Sequence, residues 1–382
     1  MRVALVHDWL DTWAGGEQVL KEVAALFPLA PIYTLVDFFP REFKERIGSH
    51  EIRPSFVQSL PFARTSFRRY LPLFPNAIES LDVSAFDLVI SVSHAVAKGV
   101  RTHARQLHIS YCLSPMRYAW DLREQYLAQV GLQRGLRAWL AHKLLDRLAN
   151  WDTRTNPRVD AFVAISHHIA ARIRRCYDRD ATVIYPPVDV TRLPIVAQPR
   201  RNGLYITVSR LVPYKRIDAI AAAFRELPDR KLVIVGSGPE RERVARAAGP
   251  NVRLLGQLAD AERDALLAQA QAFIFAADED FGIAPLEAQA LGTPVIALRS
   301  GGLVETIRGL ETNRPTGVFF DSPTSPAIAD AVRTFERQRD HISSEACIDN
   351  AQRFSASRFR GEFKAFVDGR YRAFANDRTV RA

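Results

Sequence analysis

Short apolar runs alternate with helical patterns along most of this chain, and that alternation constrains the fold more than any other feature. Val3–Val6, Leu88–Ser91, His108–Cys112 and Ala161–Ile165 read as strands, and the pattern resumes at Leu204–Val208, Leu232–Val235, Val252–Leu254, Ala272–Phe275 and Val295–Ala297. Helical periodicity fills the intervals, as from about Glu17 to Phe27. Alternation of this kind predicts an α/β chain with parallel sheets, helices on both faces and ligands at the carboxyl ends of the strands. A chain of 382 residues is long enough for two such domains. The break between them is expected at Tyr185–Asn202, which is rich in proline and lacks helical periodicity. From about Ser355 to Asn376, Phe359, Phe363, Phe366 and Phe374 recur near helical spacing and predict a terminal amphipathic helix.

Three widely spaced cysteines, Cys112, Cys176 and Cys347, exclude a disulfide scaffold and a cysteine zinc cluster, and fit a reducing compartment. The opening MRVALVHDWL reads as a first buried strand rather than a secretory signal. No apolar stretch approaches the roughly 20 residues that span a bilayer. The expectation is therefore a protein that is soluble or held at a membrane surface. The net charge is +10, and lysine supplies only seven of the 52 basic residues, so arginine carries it. Such a surplus is compatible with nucleic acid, an anionic membrane face or a phosphorylated substrate, and composition does not choose among them.

Two stretches of the first half stand apart. Residues 56–79 mix aromatics, leucines, prolines and arginines. Residues 131–151 set Leu132, Leu136, Trp139, Leu140, Leu144 and Trp151 among Arg134, Arg137, Lys143 and Arg147. The second is a basic amphipathic helix, which suits either a membrane interface or a core-facing helix with a solvated basic side.

The chemistry concentrates in the second half. In FIFAADEDFGIAPLEAQALGTPVI a strand ends near Ala276, Gly282 lies in the following loop, and Pro285 suits the first turn of a helix that Gly292 and Pro294 end. Backbone N–H groups of the Gly282–Leu286 turn favour a phosphate. Glu279 and Glu287, eight residues apart across this turn, can face one pocket and accept hydrogen bonds from ribose or sugar hydroxyls. Upstream, YITVSRLVPYKRID sets Arg210 just past a strand end and Lys215 before a helix, two cations suited to a diphosphate.

SRLVPYKRID followed by EDFGIAPLEAQALGTPVIA resembles the nucleotide-sugar site of the retaining glycosyltransferases of family 4 (glycosyl transferase group 1). The early Gly-Gly loop, the segment ISVSHAVAKGV and the aromatic final helix extend the resemblance over essentially the whole chain. It implies the GT-B fold: two Rossmann-like domains facing across a cleft. Residues 1–190 would be an acceptor-binding domain and 191–355 a nucleotide-sugar-binding domain, with a helix at 356–382 returning to the first. It further implies that Arg210 and Lys215 hold the donor diphosphate and that Glu287 binds the ribose. Glu279 would contact the donor sugar, near the Phe281-Gly282-Ile283 backbone, and His94 matches the family's donor-sugar histidine. Gly15 and Gly16 would let the first domain approach the phosphates. Gly236, in Gly236-Ser237-Gly238, resembles part of a dinucleotide fingerprint without its third glycine, and is expected at a strand–helix turn near the nucleotide.

Asp278-Glu279-Asp280 also spells D-x-D, the metal signature of the other large glycosyltransferase fold. The triplet falls instead in the register of the two glutamates, with no further clustered acid or histidine, so no metal and no cofactor is expected. The segment YCLSPMRYAWDL is similar to a signature associated with mannosyl transfer in bacterial O-antigen and exopolysaccharide assembly. Arg117, Tyr118 and Trp120 are its acceptor-side candidates, with core packing as the other reading of the two aromatics. The resemblance thus implies a metal-independent hexosyltransferase, with GDP-mannose the first choice of donor and a lipid-linked saccharide or polysaccharide precursor as acceptor. It would work in the cytoplasm at the anionic face of the inner membrane. A UDP-sugar-dependent transferase and a nucleotide-sugar epimerase on the same fold are the alternatives. Nucleic acid is disfavoured because the arginines are dispersed rather than gathered in a strip with stacking aromatics.

Overall fold

The computed structural model describes residues 1–120, 123, 124, 127, 131, 134–188, 190 and 203–381. Most of the Tyr185–Asn202 stretch lies outside the described residues, as do Leu132 and the Asp121-Leu122 end of the YCLSPMRYAWDL segment. The chain forms two compact units, Met1–Pro187 with Ser357–Ala382 and Val188–Ala356.

The first unit holds a seven-stranded parallel sheet in the order β3-β2-β1-β4-β5-β6-β7. Its strands are β1 (Val3–His7), β2 (Ile32–Thr34), β3 (Ile52–Pro54), β4 (Leu88–Ser93), β5 (Leu107–Cys112), β6 (Ala161–Ala164) and β7 (Ala181–Val183). The central strands β1, β4, β5 and β6 are buried at every position, as expected where helices cover both faces. Short β2, β3 and β7 extend the sheet; three residues carry too little periodicity to be read from sequence. The helix Ala356–Arg381 belongs to this unit through Phe359, Phe363 and Val367, all fully buried. The rings of Phe359 and Phe363 stack at 5.5 Å, and each meets Tyr111 edge-on at 5.7 Å. Arg358 donates to the Tyr185 carbonyl at 2.9 Å, and Arg360 pairs with Glu22.

The second unit has a six-stranded parallel sheet in the order β10-β9-β8-β11-β12-β13. Its strands are β8 (Leu204–Val208), β9 (Lys231–Val235), β10 (Val252–Gly256), β11 (Ala272–Phe275), β12 (Val295–Leu298) and β13 (Gly317–Phe320). Both sheets change direction of winding once, between β1 and β4 in the first and between β8 and β11 in the second. In open parallel sheets the crevice beyond such a switch point is where ligands bind.

The two unusual stretches also take shape. Residues 56–79 fold as a chain of short helical turns that bury Val57, Phe67, Phe74 and Ile78 and leave Phe62 exposed. The helix Gly135–Arg154 buries Ala138, Leu145, Leu148 and Trp151, while Leu136, Trp139 and Leu140 in its first turns are exposed.

Candidate functional site

The loops that leave β8 and β11 carry the second unit's candidates. Arg210 is exposed two residues past the end of β8. Lys215 closes the short turn Pro213–Lys215, and its ammonium pairs with the Glu279 carboxylate from the β11 loop. The same ammonium lies over the rings of Phe275 and Tyr214 at 5.0 and 5.2 Å, which fixes the direction of a side chain that would otherwise be free to swing. Gly282 caps the helix Ile283–Ala290, so the first N–H groups of that helix end in this loop. Phe281 sends its ring into the core against Phe354 at 5.5 Å, leaving backbone rather than side chain at the loop surface. Glu287 is on the helix beside Arg263, whose guanidinium burial pushes down and Glu287, Asp264 and Asp260 together raise above its ordinary range.

Gly236 follows β9 with φ +133°, and a Cβ there would stand 1.9 Å from the Ser209 carbonyl oxygen. Only glycine lets the loops after β8 and β9 close on each other. A further device was not picked out from the sequence. Ser300, Gly301 and Gly302, after β12, clamp the acidic loop: the Ser300 hydroxyl donates to Asp278 at 2.6 Å and the Gly302 N–H to the Glu279 carbonyl at 2.8 Å. A Cβ on Gly301, at φ +57°, would lie 2.1 Å from that carbonyl oxygen. The pair Gly301-Gly302 after a strand was the available signal. Asp278, the first acid of the D-x-D triplet, thus serves as a loop anchor.

In the first unit the loops after β1 and β4 flank the switch point. Asp8 was not among the sequence candidates and proves to be their organiser. It is fully buried and accepts the backbone N–H groups of His94, Ala95, Val96 and Ala97 at 2.6 to 3.0 Å. Nδ1 of His94 lies 3.0 Å from the same carboxylate. Burial alone would raise the Asp8 pKa, yet His94 and these hydrogen bonds hold it well below the carboxylate range. Burial would likewise lower His94, and Asp8 reverses that, raising it above 6.5. His94 is therefore clamped by Asp8, with Trp9 edge-on against its ring at 4.6 Å.

Gly15 and Gly16 open the helix Gly15–Leu26 on the same side of the sheet. Glu17, in its first turn, accepts the Ala14 N–H at 2.9 Å and lies 3.4 Å from His7 Nε2, while His7 Nδ1 meets the Val92 carbonyl at 2.9 Å. A Cβ on Gly16 would meet the Cδ1 methyl of Leu113 at 2.9 Å, so that side-chain tip would have to shift. Arg117 and Tyr118 line a cavity of about 300 Å³ with His94 and Ser114. Trp120 is placed elsewhere. Its indole N–H donates to the buried Asp152 at 2.9 Å, which also accepts the Tyr177 hydroxyl at 2.8 Å and pairs with buried Lys98 at 3.0 Å.

Residues 194–354 match the family model of glycosyl transferases group 1. The chain carries a group 1 glycosyltransferase domain. Similar curated proteins include the GDP-mannose-dependent monoacylated alpha-(1-6)-phosphatidylinositol monomannoside mannosyltransferase of Corynebacterium glutamicum, 34% identical over 178 residues, which are 39% of this chain and 47% of that protein. Glycogen synthase of Mycobacterium tuberculosis is 35% identical over 173 residues, covering 41% of this chain and 39% of the synthase. The chain spans less than half the length of these curated relatives. Among solved structures, Anabaena HepE in complex with UDP and glucose is 20% identical with a TM-score of 0.68, over 96% of this chain and 99% of HepE. Sucrose-phosphate synthase from Thermosynechococcus elongatus is 17% identical with a TM-score of 0.72, over 98% of this chain and all of the synthase chain. The fold shared with these structures, two parallel-sheet Rossmann-like domains, covers both units.

Proposed function

We propose that the chain is a retaining hexosyltransferase that moves mannose from GDP-mannose to a lipid-linked saccharide. The observation that carries the reading is the Lys215–Glu279 ion pair between the loops after β8 and β11, at the switch point of the second sheet and inside the segment matched to group 1 glycosyltransferases. Arg210 and Lys215 hold the diphosphate, Glu287 the ribose, and Glu279 and His94 the sugar. The sugar carbon parts from the diphosphate oxygen as the acceptor hydroxyl attacks from the same face, and the departing diphosphate takes the hydroxyl proton. The protein's task is to stabilise the charge that develops on the diphosphate, so two fixed cations matter more than a protein base. The choice of mannose rests on relatives named for GDP-mannose.

The acceptor is expected at the anionic cytoplasmic face of the inner membrane. Leu136, Trp139 and Leu140 stand exposed beside Arg134, Arg137 and Lys143, and Phe62 beside Arg64. Apolar anchors among basic residues suit the headgroup region of an anionic bilayer. No described helix is long and apolar enough to cross a membrane.

A thermal-shift screen against GDP-, UDP- and ADP-sugars tests the donor. GDP-mannose should stabilise the protein most. Stabilisation by a UDP-sugar alone would reassign the donor, and no response to any nucleotide-sugar would remove the transferase reading. Donor incubated without acceptor should keep its configuration, whereas an epimerase would interconvert it. Flotation with anionic liposomes at low salt should carry the protein, and absence of binding would remove the membrane.

A further inference from the structure

Lys98 continues the loop that carries His94 and is only 1% exposed, a depth at which an ammonium persists only when partners surround it. Its Nζ donates to the Asp152 carbonyl at 2.6 Å, to Thr155 Oγ1 at 3.0 Å and to Asn156 Oδ1 at 2.9 Å. It also lies 3.0 Å from Asp152 Oδ1 and over the Tyr177 ring at 4.6 Å. The second carboxylate oxygen of Asp152, itself fully buried, accepts the Trp120 indole N–H and the Tyr177 hydroxyl. The next residue repeats the attachment. A Cβ on Gly99 would stand 2.3 Å from the Trp151 ring, so the loop lies directly on that ring, and Arg158 donates to the Gly99 carbonyl at 2.6 Å.

Two segments that line the cavity of the first unit are thus joined through one carboxylate. The first is the loop after β4. Asp8 holds it from His94 to Ala97, and the tie through Lys98 begins where the hydrogen bonds to Asp8 stop. The second carries Ser114, Arg117 and Tyr118 and is held at Trp120. Both ties converge near the end of the helix Gly135–Arg154. Stability does not require charge here, since replacing a buried ion pair by apolar groups of similar volume is often neutral or stabilising. Directional partners add position. Apolar contacts tolerate sliding, whereas an ammonium shared among oxygens of Asp152, Thr155 and Asn156 has one favourable place.

We propose that Lys98 and Asp152 are positioning residues that set the His94 loop and segment 114–120 in register across the cavity both of them line. Neither side chain lines the cavity itself; the pair acts through His94 on one side and through Arg117 and Tyr118 on the other. Its bearing on sugar transfer rests on the glycosyltransferase reading, and the positioning does not.

Fluorine NMR of the full-length protein labelled with 5-fluorotryptophan tests the positioning without any substrate. Trp9 is the reporter, because its ring lines the cavity and meets His94 edge-on at 4.6 Å. In wild type its resonance should follow the protonation of His94, which Asp8 and Glu17 favour and Arg68 opposes. Lys98→Met combined with Asp152→Asn cuts the tie to the loop, while the amide oxygen still accepts from Trp120 and Tyr177. The Trp9 midpoint should then fall toward 6.5, with the melting temperature close to wild type. Trp120→Phe cuts the other tie. It should shift the Trp9 resonance, which shares the cavity with Tyr118, and leave the midpoint in place. This variant loses a single hydrogen bond and keeps an aromatic ring, so it decides the question if the double variant does not fold. Lower melting temperatures with an unchanged Trp9 resonance and midpoint would make the network a support of stability alone and overturn the proposal. GDP release from GDP-mannose, with water as acceptor, gives a second readout. In the double variant kcat should fall about 10–100-fold, with donor KM unchanged because Arg210, Lys215 and Glu287 are untouched. A raised KM at unchanged kcat would overturn the action through His94. The fluorine spectrum decides the positioning whether or not GDP is released, so failure of the transferase reading stays distinct from failure of this one.

Discussion

Asp8 and Glu279 are both carboxylates in loops at the switch point of a parallel sheet, and the protein holds them in opposite ways. Asp8 lies in the interior, where four backbone N–H groups and a histidine define its position. Glu279 is partly open, at 19% side-chain exposure, against a lysine that is itself 15% exposed. Its loop is shaped by the neighbouring glycines rather than by buried charge. The first arrangement is rigid because separating its partners strands charge in a dry interior. The second can exchange one partner more readily, since water competes for a partly open ion pair at modest cost. The first unit therefore has a scaffold built around a carboxylate, and the second has a carboxylate in a partly open ion pair.

Substitutions on the two sides should separate these roles. Lys215→Ala and Arg210→Ala should each lower kcat by about 10²–10³-fold with both substrates saturating, the range for removing one group that stabilises developing charge. Their melting temperatures should stay close to wild type. Near-normal turnover in either would end the assignment of that cation to the diphosphate. Asp8→Ala should do the reverse, costing about 3–5 kcal/mol of stability because it strands polar groups in the interior. Denaturant unfolding reads this directly, and a loss below 1 kcal/mol would contradict the anchoring role of Asp8.

Gly301→Ala should fall between them. Its Cβ would meet the Glu279 carbonyl oxygen at 2.1 Å in a left-handed backbone, and displacing that loop should weaken donor binding by about 1–3 kcal/mol. A donor KM equal to wild type would show that the clamp does not set the position of Glu279.

The smallest effect expected is in pH. His94 is raised above 6.5, so its contribution to stability is complete below that value and is lost as pH rises through its higher folded value. Asp8 is depressed below 3.8, so its contribution is present above that value and declines only as pH falls further. The stability difference between wild type and His94→Gln should thus be widest on the acidic side of neutrality and narrow in mild alkali. A pH-independent difference would mean that the Asp8–His94 pair carries no charge.

The sequence determined the α/β class, the central strands of both sheets and the loop positions of the second unit's charged candidates. Those features are local: an apolar run, a glycine at a strand end, or a glutamate before a helix declares itself within a few residues. Arg210, Lys215 and Glu279 were legible for that reason. The short strands β2, β3, β7 and β13 were not, because a few residues gain strand character only from the neighbours they pair with. Asp8 and the Ser300-Gly301-Gly302 clamp were equally hidden. The partners of Asp8 lie 86 to 89 positions away in the chain, and no local spacing reports a carboxylate that folding alone surrounds with N–H groups. Trp120 shows the converse, since its motif left an acceptor-side role and core packing both open, and the fold tied its indole N–H to buried Asp152. The sequence chose the elements and the candidate groups in their loops. Tertiary structure decided which polar side chains became scaffold and which face a cavity, because burial, and with it the cost of leaving a charge unpaired, exists only once the chain has closed around them.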